Sequence, residues 1–276
     1  MKVKVVLGRI VVILLAGLWV LVAALPFYFM VISSFKEQFE MLSSSVFAFP
    51  KGLYLDSYIT VMQSDFFRYL FNSVFVCCVS LLLILFTASF ASYPFAKFKF
   101  RLNKPLFGLV VAAMAIPVHA TLIPIFELTQ HIGIYDTLFA LIGPYVAFNL
   151  PISVFILTSF MTEIPHELEE SAEIDGCGKF RTFFSIILPL SKPGLATLSI
   201  YNLVNMWNEF SFALVLTQST QSRTLPLSIW DYQGQYTSNI PMIMTFLTLC
   251  AVPMIIAFII GQDKLIKGMM AGAVKG

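Results

Sequence analysis

Two stretches of the chain carry residue types that could do chemistry, and neither completes a catalytic pattern. The run His166–Glu170 begins like a zinc-binding HExxH helix, but Glu170 stands where the second histidine is required. The run Gly176–Phe180 approaches a phosphate-binding loop, yet Glu173 replaces its first glycine and Phe180 its magnesium-binding hydroxyl. No G-x-S-x-G nucleophile elbow occurs. We therefore predict a non-catalytic chain with no metal site and no bound cofactor.

Amide and carboxylate side chains also lie inside a long apolar run. Asn202, Asn205 and Glu209 follow the spacing i, i+3 and i+7, with Asn208 beside them. Polar residues within a membrane usually face the bundle interior or a water-filled path. They could therefore line a translocation path on which amides and a carboxylate meet sugar hydroxyls. Two alternatives stay open, namely hydrogen bonding between helices and, for Glu209, a position at the outer interface.

A third polar segment precedes the fifth apolar run. Six of the 15 acidic residues lie between Glu163 and Asp175. Pro165 and Glu167 suit the start of a helix, and Gly176 suits its end, where left-handed backbone is needed. The face that we predict to meet a partner repeats at helical spacing: Leu168, Ser171, Ala172 and Asp175.

Membrane helices must hold these segments, because the chain is too apolar to build a water-soluble surface. Hydrophobic residues make up 58% of it and charged residues 12%, against about 25% charged residues in soluble proteins. Its mean hydropathy is +0.86, and a net charge of +2 is too small to indicate nucleic acid binding. Because about 20 helical residues cross the hydrocarbon, we predict an all-α integral membrane protein with a single transmembrane domain over residues 1–276. The six predicted spans are 10–32, 70–94, 105–127, 138–161, 188–212 and 240–261.

The basic residues predict the orientation of these spans. With a cytoplasmic N-terminus, thirteen of the 17 Lys and Arg residues fall on inner segments and four on outer ones. The tightest cluster is Lys97–Arg101. Inner loops of membrane proteins carry the excess of Lys and Arg, so both termini are predicted to be cytoplasmic.

The outer loop 218–239 is the fourth candidate site. It carries three aromatic residues and a glycine: Trp230, Tyr232, Gly234 and Tyr236. Aromatic faces suit sugar rings, and glycine suits a loop that moves, so these four residues are a candidate contact for a sugar or for an external protein that delivers it. The alternative is a belt of aromatic residues at the membrane interface.

The acidic segment 162–189 has the spacing of a known motif. It reads Glu170-Ser171-Ala172, three residues, Gly176, nine residues, Ile186, one residue and Leu188-Pro189. This spacing resembles the EAA motif of ABC importer permeases, with serine for the first alanine. Other runs are similar to sugar permeases of that family: Phe71–Ser73, Met206–Phe210, Arg223–Pro226 and Gly268–Gly276. The whole chain resembles the smaller permease subunit of a carbohydrate importer of the maltose/maltodextrin type.

This resemblance implies a type I ABC importer permease fold, with six transmembrane helices and a cytoplasmic coupling helix. It also implies a bacterial plasma membrane protein that moves a sugar or oligosaccharide. The implied partners are membrane lipid, a second permease subunit in a heterodimer, two ATPase subunits that hold ATP and Mg²⁺, and an extracytoplasmic sugar-binding protein. The residues implied in coupling to the ATPase are Glu170, Ser171, Ala172, Gly176, Leu188 and Pro189. The alternatives are a secondary transporter and an ABC importer for another solute.

Overall fold

The computed structural model describes the backbone of residues 2–232 and 239–273 and the side chains of residues 8–232 and 239–262. The regular elements over these residues are helices, in agreement with the predicted fold class. The α-helices are α1 (Lys2–Ser34), α2 (Gln38–Ser43), α3 (Asp56–Gln63), α4 (Phe66–Lys97), α5 (Asn103–Ala113), α6 (Leu122–His131), α7 (Phe139–Thr162), α8 (Glu167–Ile174), α9 (Lys179–Thr182), α10 (Leu188–Leu190), α11 (Lys192–Trp207), α12 (Ser211–Leu216) and α13 (Ile240–Ala273). Two 3₁₀ helices cover Val118–Thr121 and Pro226–Tyr232, and a π-helix covers Phe183–Ile187.

Four helices are long and apolar enough to cross a membrane unaided. Their apolar stretches are Gly8–Ser34, Phe66–Lys97, Phe139–Thr162 and Ile240–Gln262. The regions of the third and fifth predicted spans are bent pairs instead. Asn103–Ala113 meets Val118–His131 at 89°, and Lys179–Leu190 meets Lys192–Trp207 at 69°. By length and composition, the described residues thus include four candidate spans, or up to six if each bent pair counts as one.

Prolines explain where both pairs bend. Pro117 lacks an N–H donor and disfavours helical backbone at the residue before it, and α5 has ended at Ala113. Pro193 stands in the first turn of α11, where its missing donor costs nothing. Before Pro189 the chain widens into the π-helix, in which the Leu188 amide donates to the carbonyl of Phe183. The sequence thus breaks these two spans at defined residues.

The chain divides into two compact units. The first comprises residues up to Phe67 together with Ser228–Pro253. Within it, Thr245 Oγ1 donates to the carbonyl of Ser34 over 3.0 Å. The second comprises Arg68–Leu227 together with the chain from Met254 onward, and it holds α8 and α11.

The core of the second unit joins α4, α7, the π-helix and α11. Its buried members are Ala88, Tyr93, Val154, Leu157, Met161, Ile164, Phe183, Ile187 and Leu198. Lipid tails are as apolar as these side chains, so close packing rather than water exclusion holds membrane helices together. Gly194 of α11 illustrates this, because a Cβ there would lie only 2.8 Å from Cγ of Phe160 on α7. The core therefore fixes α7 and α11 on either side of the 162–189 loop.

Candidate functional site

The acidic segment forms a short helix, α8, that ends as its sequence predicts. Gly176 has a φ of +77°, the left-handed conformation that favours glycine. The Gly176 amide donates to the carbonyl of Glu173 over 3.0 Å, and the Cys177 amide donates to that of Ala172 over 2.8 Å. These two bonds make a Schellman motif. The predicted helix end at Gly176 is confirmed. A side chain at this position would meet no neighbouring atom, but the left-handed backbone would be strained for any residue other than glycine.

One buried carboxylate ties α8 to the end of α4. Glu169 accepts a hydrogen bond from the Tyr93 hydroxyl at 3.0 Å, and its Oε2 lies 3.7 Å from Nζ of Lys97. Lys97, whose side chain is fully buried, also donates to the carbonyl of Ile164. His166 Nδ1 lies 3.3 Å from the same carboxylate. Sequence reasoning missed Glu169, although it follows His166 at i+3, because only the fold brings Lys97 to it.

The opposite face of α8 is exposed. Glu170 and Ser171 point outward, and Ile174 is 86% exposed. Ala172 is buried at 4%, so it lies against its own chain on the same side of α8 as Glu169. The other members of the predicted contact face are exposed, namely Leu168, Ser171 and Asp175. The surface that α8 presents outward is therefore acidic with two large apolar side chains, Leu168 and Ile174.

The residues that follow α8 divide between packing and exposure. Leu188 packs against the core of the second unit, while Pro189 is exposed. Phe180 is 75% exposed and lines a small apolar pocket of about 190 Å³ with Phe90, Tyr93, Pro94, Phe98, Lys179 and Phe183. Sequence reasoning did not single out Ile174, and it named Phe180 only as a departure from a phosphate-binding loop. An apolar residue in a polar segment gives no signal of a surface role until its exposure is known.

The three asparagines at 202, 205 and 208, the first two in α11 and the third just after its end, have different environments. Asn202 is fully buried, and its Nδ2 donates to Ser153 Oγ of α7 over 2.9 Å. It thus makes the helix–helix hydrogen bond that was the alternative to path lining. Asn205 is exposed and lines a pocket. Asn208 is exposed and donates to the carbonyl of Val204 over 2.8 Å.

Glu209 caps a helix. Its carboxylate accepts hydrogen bonds from the amides of Phe212 at 2.7 Å and Ala213 at 3.2 Å, which are free donors at the start of α12. The Tyr145 hydroxyl donates to it over 2.9 Å. Glu209 also borders the pocket that Asn205 lines, a cavity of about 240 Å³. The other lining residues are Val118, Pro144, Tyr145, Phe148, Asn149, Ile152, Tyr201, Met206 and Phe212.

The aromatic residues of the outer loop are only partly described. Trp230 is 51% exposed. The Tyr232 hydroxyl shares a hydrogen bond with Ser64 over 2.7 Å, and its ring packs 5.1 Å from that of Phe246. Tyr232 is therefore held by its own chain, while Gly234 and Tyr236 lie outside the described residues.

Two motifs that are far apart in the sequence meet in this loop. Asn72, at the start of the second predicted span, donates from Nδ2 to the carbonyls of Gln221 at 2.9 Å and Arg223 at 2.8 Å. Next to it, Ser73 Oγ accepts the amide of Leu225 over 2.8 Å. The sequence predicts both motifs but not their contact, which fixes the loop before it reaches Trp230.

A second anchor holds the same loop. Asp136, in the turn before α7, accepts hydrogen bonds from the amides of Gln218 at 2.7 Å and Ser219 at 2.9 Å, and from the Ser222 hydroxyl. Burial opposes ionisation of this carboxyl, but the accepted hydrogen bonds outweigh it and hold the pKa of Asp136 below its usual value. Its φ is +57°, a left-handed conformation that Asp and Asn tolerate.

The described residues contain no group of three or more His, Cys, Asp or Glu side chains that could hold a metal ion. Apolar helices long enough to cross a membrane define an integral membrane protein, and the acidic helix α8 lies outside those helices. Residues 80–270 match the family described as binding-protein-dependent transport system inner membrane component, and the chain belongs to this family.

Named relatives and a solved structure agree with this membership. The chain is 57% identical, over 94% of both sequences, to a putative ABC transporter permease (ORF2) of Caldicellulosiruptor sp. strain Rt8B.4. It is 33% identical, over 98% of both, to the trehalose/maltose transport system permease MalG of Thermococcus litoralis. The crystal structure of a bacterial ABC transporter involved in the import of the acidic polysaccharide alginate matches with a TM-score of 0.80, at 21% identity, over 93% of this chain and 96% of that one. The predicted family, fold and role as the non-catalytic permease subunit of an ABC importer are confirmed.

Proposed function

We propose that this permease imports a sugar or oligosaccharide across the bacterial plasma membrane. The name of the Thermococcus relative states trehalose and maltose, and the structural relative imports alginate, which together support a carbohydrate. The chain contributes one half of the pore, and a second, different permease subunit contributes the other. Two separate ATPase subunits supply the energy, and an external binding protein delivers the sugar, as the family's description as binding-protein-dependent supports.

The observation that carries the proposed coupling to separate ATPase subunits is the anchored helix α8. A helix transmits a push only if one face is fixed to the moving bundle and the other fits a partner. Glu169 fixes the inner face to α4 through Lys97 and Tyr93. Glu170, Ile174 and the neighbouring Phe180 stay exposed for the ATPase subunit. An acidic rim around apolar side chains suits a basic cleft with an apolar floor.

The sugar path is proposed to run past the 240 Å³ pocket of α7 and α11. Asn205 and Asn149 offer amides there, and Tyr145 and Tyr201 offer aromatic faces. This mixture suits a sugar, whose hydroxyls bind amides and whose C–H faces stack on rings. Asn202 is left out of this proposed path because it is fully buried between helices.

The test of coupling uses Gly176→Asp and Glu170→Lys, each expressed with the partner subunits. We expect normal membrane insertion, loss of sugar uptake, and either loss of the ATPase subunits on purification or hydrolysis without transport. Gly176→Asp strains the left-handed helix end, and Glu170→Lys reverses a charge that is exposed for pairing. Glu127→Lys, an exposed position on α6, is the control with the same charge change. Wild-type uptake by both variants would contradict a role for α8 in coupling to the ATPase subunits.

The proposed topology puts both termini, the 97–104 loop and α8 in the cytoplasm. Lys97 of that loop bonds to Ile164 and Glu169, which supports one side of the membrane for both segments. A cysteine introduced at Lys99 should resist an impermeant thiol reagent in intact cells and react after lysis. Labelling of this cysteine from outside would contradict the proposed orientation.

A further inference from the structure

A basic pocket lies between the end of α4 and the start of α5. Its volume is about 670 Å³, and its lining is Phe95, Ala96, Lys97, Phe98, Lys99, Phe100, Arg101, Asn103, Lys104 and His166. The loop that forms it is tied in place. Asn103 Nδ2 donates to the carbonyls of Phe95 at 3.2 Å and Phe98 at 2.9 Å, and buried Lys97 donates to Ile164. The pocket is therefore held open by hydrogen bonds within the chain.

The basic side chains of this pocket differ in whether a carboxylate neutralises them. Lys97 is buried and faces the carboxylate of Glu169. Lys99, Arg101 and Lys104 are exposed, and none of them takes part in a salt bridge among the described residues. Three unneutralised cations around one cavity, beside the positive end of the eleven-residue helix α5, favour an anion.

The apolar residues around the same loop indicate which anion. Phe100 is 39% exposed, Leu102 60% and Leu106 41%. The loop joins the apolar stretch Phe66–Lys97 to the bent pair that begins at Asn103, so it lies where hydrocarbon meets headgroups. Cations beside exposed apolar side chains at that depth suit a molecule with a charged head and apolar tails.

We propose that this pocket binds the phosphate of an anionic phospholipid in the cytoplasmic leaflet. Lys99, Arg101 and Lys104 bind the headgroup, and Phe100 and Leu102 contact its acyl chains. The inference uses the proposed orientation, in which this loop is cytoplasmic. Since His166 lines the pocket one residue before α8, a bound headgroup also supports the anchored end of that helix.

The test measures lipid retention by the purified importer in nanodiscs that mix phosphatidylglycerol and phosphatidylcholine. We expect native mass spectrometry to show at least tenfold preferential retention of phosphatidylglycerol by the wild-type complex. Neutralising Lys99, Arg101 and Lys104 to Gln should weaken that retention on the order of ten- to a hundredfold, since each cation contributes several-fold near anionic lipid. Equal retention of both lipids by the wild type would overturn the proposal without any variant.

A matched control carries the same loss of charge outside the pocket. Neutralising Arg9, Lys51 and Lys192, all exposed, should leave phosphatidylglycerol retention unchanged. Equal loss in the control would reduce the effect to bulk charge attraction and contradict a site. Displacement of the lipid by millimolar inorganic phosphate would assign the pocket to a soluble anion instead. Lipid retention with no sugar uptake by the wild type would contradict the proposed substrate and leave the lipid site intact.

Discussion

The anchor of α8 offers the sharpest perturbation in this structure. Glu169 and Lys97 have side chains that are 9% and 0% exposed, and their charged atoms lie 3.7 Å apart. Glu169→Gln keeps the shape of the side chain and its contact with Tyr93 but removes the negative charge. Lys97 then stays buried, and the carbonyl of Ile164 still accepts its hydrogen bond.

The magnitude follows from that burial. Removing one partner of a buried ion pair costs about 3–5 kcal/mol, because the other charge stays desolvated. We take the lower end, about 3 kcal/mol, since Ile164 still accepts a hydrogen bond from Lys97. This energy is lost where α8 meets α4, so local opening of α8 should rise by roughly 100-fold. Replacing both partners by apolar residues, Lys97→Met with Glu169→Leu, should recover most of it.

Hydrogen exchange of the α8 amides in the purified importer measures this opening directly. We expect fast exchange in Glu169→Gln and in Lys97→Met, near-wild-type exchange in the apolar double variant, and ATP hydrolysis that no longer drives uptake in the single variants. Glu167→Gln, an exposed residue of the same helix, is the control. Exchange within threefold of wild type in both single variants would refute the idea that this pair anchors α8.

Two further predictions concern other contacts. Gly194→Ala places a methyl carbon 2.8 Å from Phe160 Cγ. Because overpacking is destabilising, we expect a lower melting temperature and a loss of about 1–3 kcal/mol in the free energy of unfolding. The control Gly143→Ala meets open space and should leave the melting temperature unchanged. Because the folded pKa of Asp136 is lowered, its contribution is complete above about pH 4 and is lost as pH falls through that folded pKa. Amides 217–222 should therefore exchange faster in Asp136→Asn than in wild type at neutral pH, and alike below the folded pKa. A difference that persists at low pH would contradict a role for the Asp136 charge.

Much of the fold could be predicted because membranes constrain sequences strongly. Backbone groups in lipid must be satisfied within each segment, so long apolar runs are helices. The end of α8 at Gly176 was also predictable, because a left-handed residue after an acidic helix has one common meaning. The bends at Pro117 and near Pro193 were harder to predict from the sequence. Proline marks a possible break, but neighbouring helices decide whether the chain bends, and Pro144 and Pro151 sit inside an unbroken α7.

The candidate site was likewise predictable from the sequence only in part. Spacing identified the EAA segment, but exposure separated outward Glu170 from inward Ala172. The asparagines of α11, Asn202 and Asn205, looked equivalent in sequence. The helix turns Asn202 into the bundle and leaves Asn205 at a pocket, because residues three apart differ by about 60° around the axis.

The amino-acid sequence by itself indicated a membrane-embedded protein and, through the resemblance of its 162–189 segment to the EAA motif, an ABC importer permease. Composition and residue spacing carry that information, since both are local properties of the chain. The tertiary structure alone decided that Glu169 meets Lys97, that Asn72 holds the loop at Arg223 and that Asp136 holds it again. The partners in these three contacts are 72 to 151 residues apart in the sequence. Side chains at such separations meet only where the packing of the intervening helices brings them together.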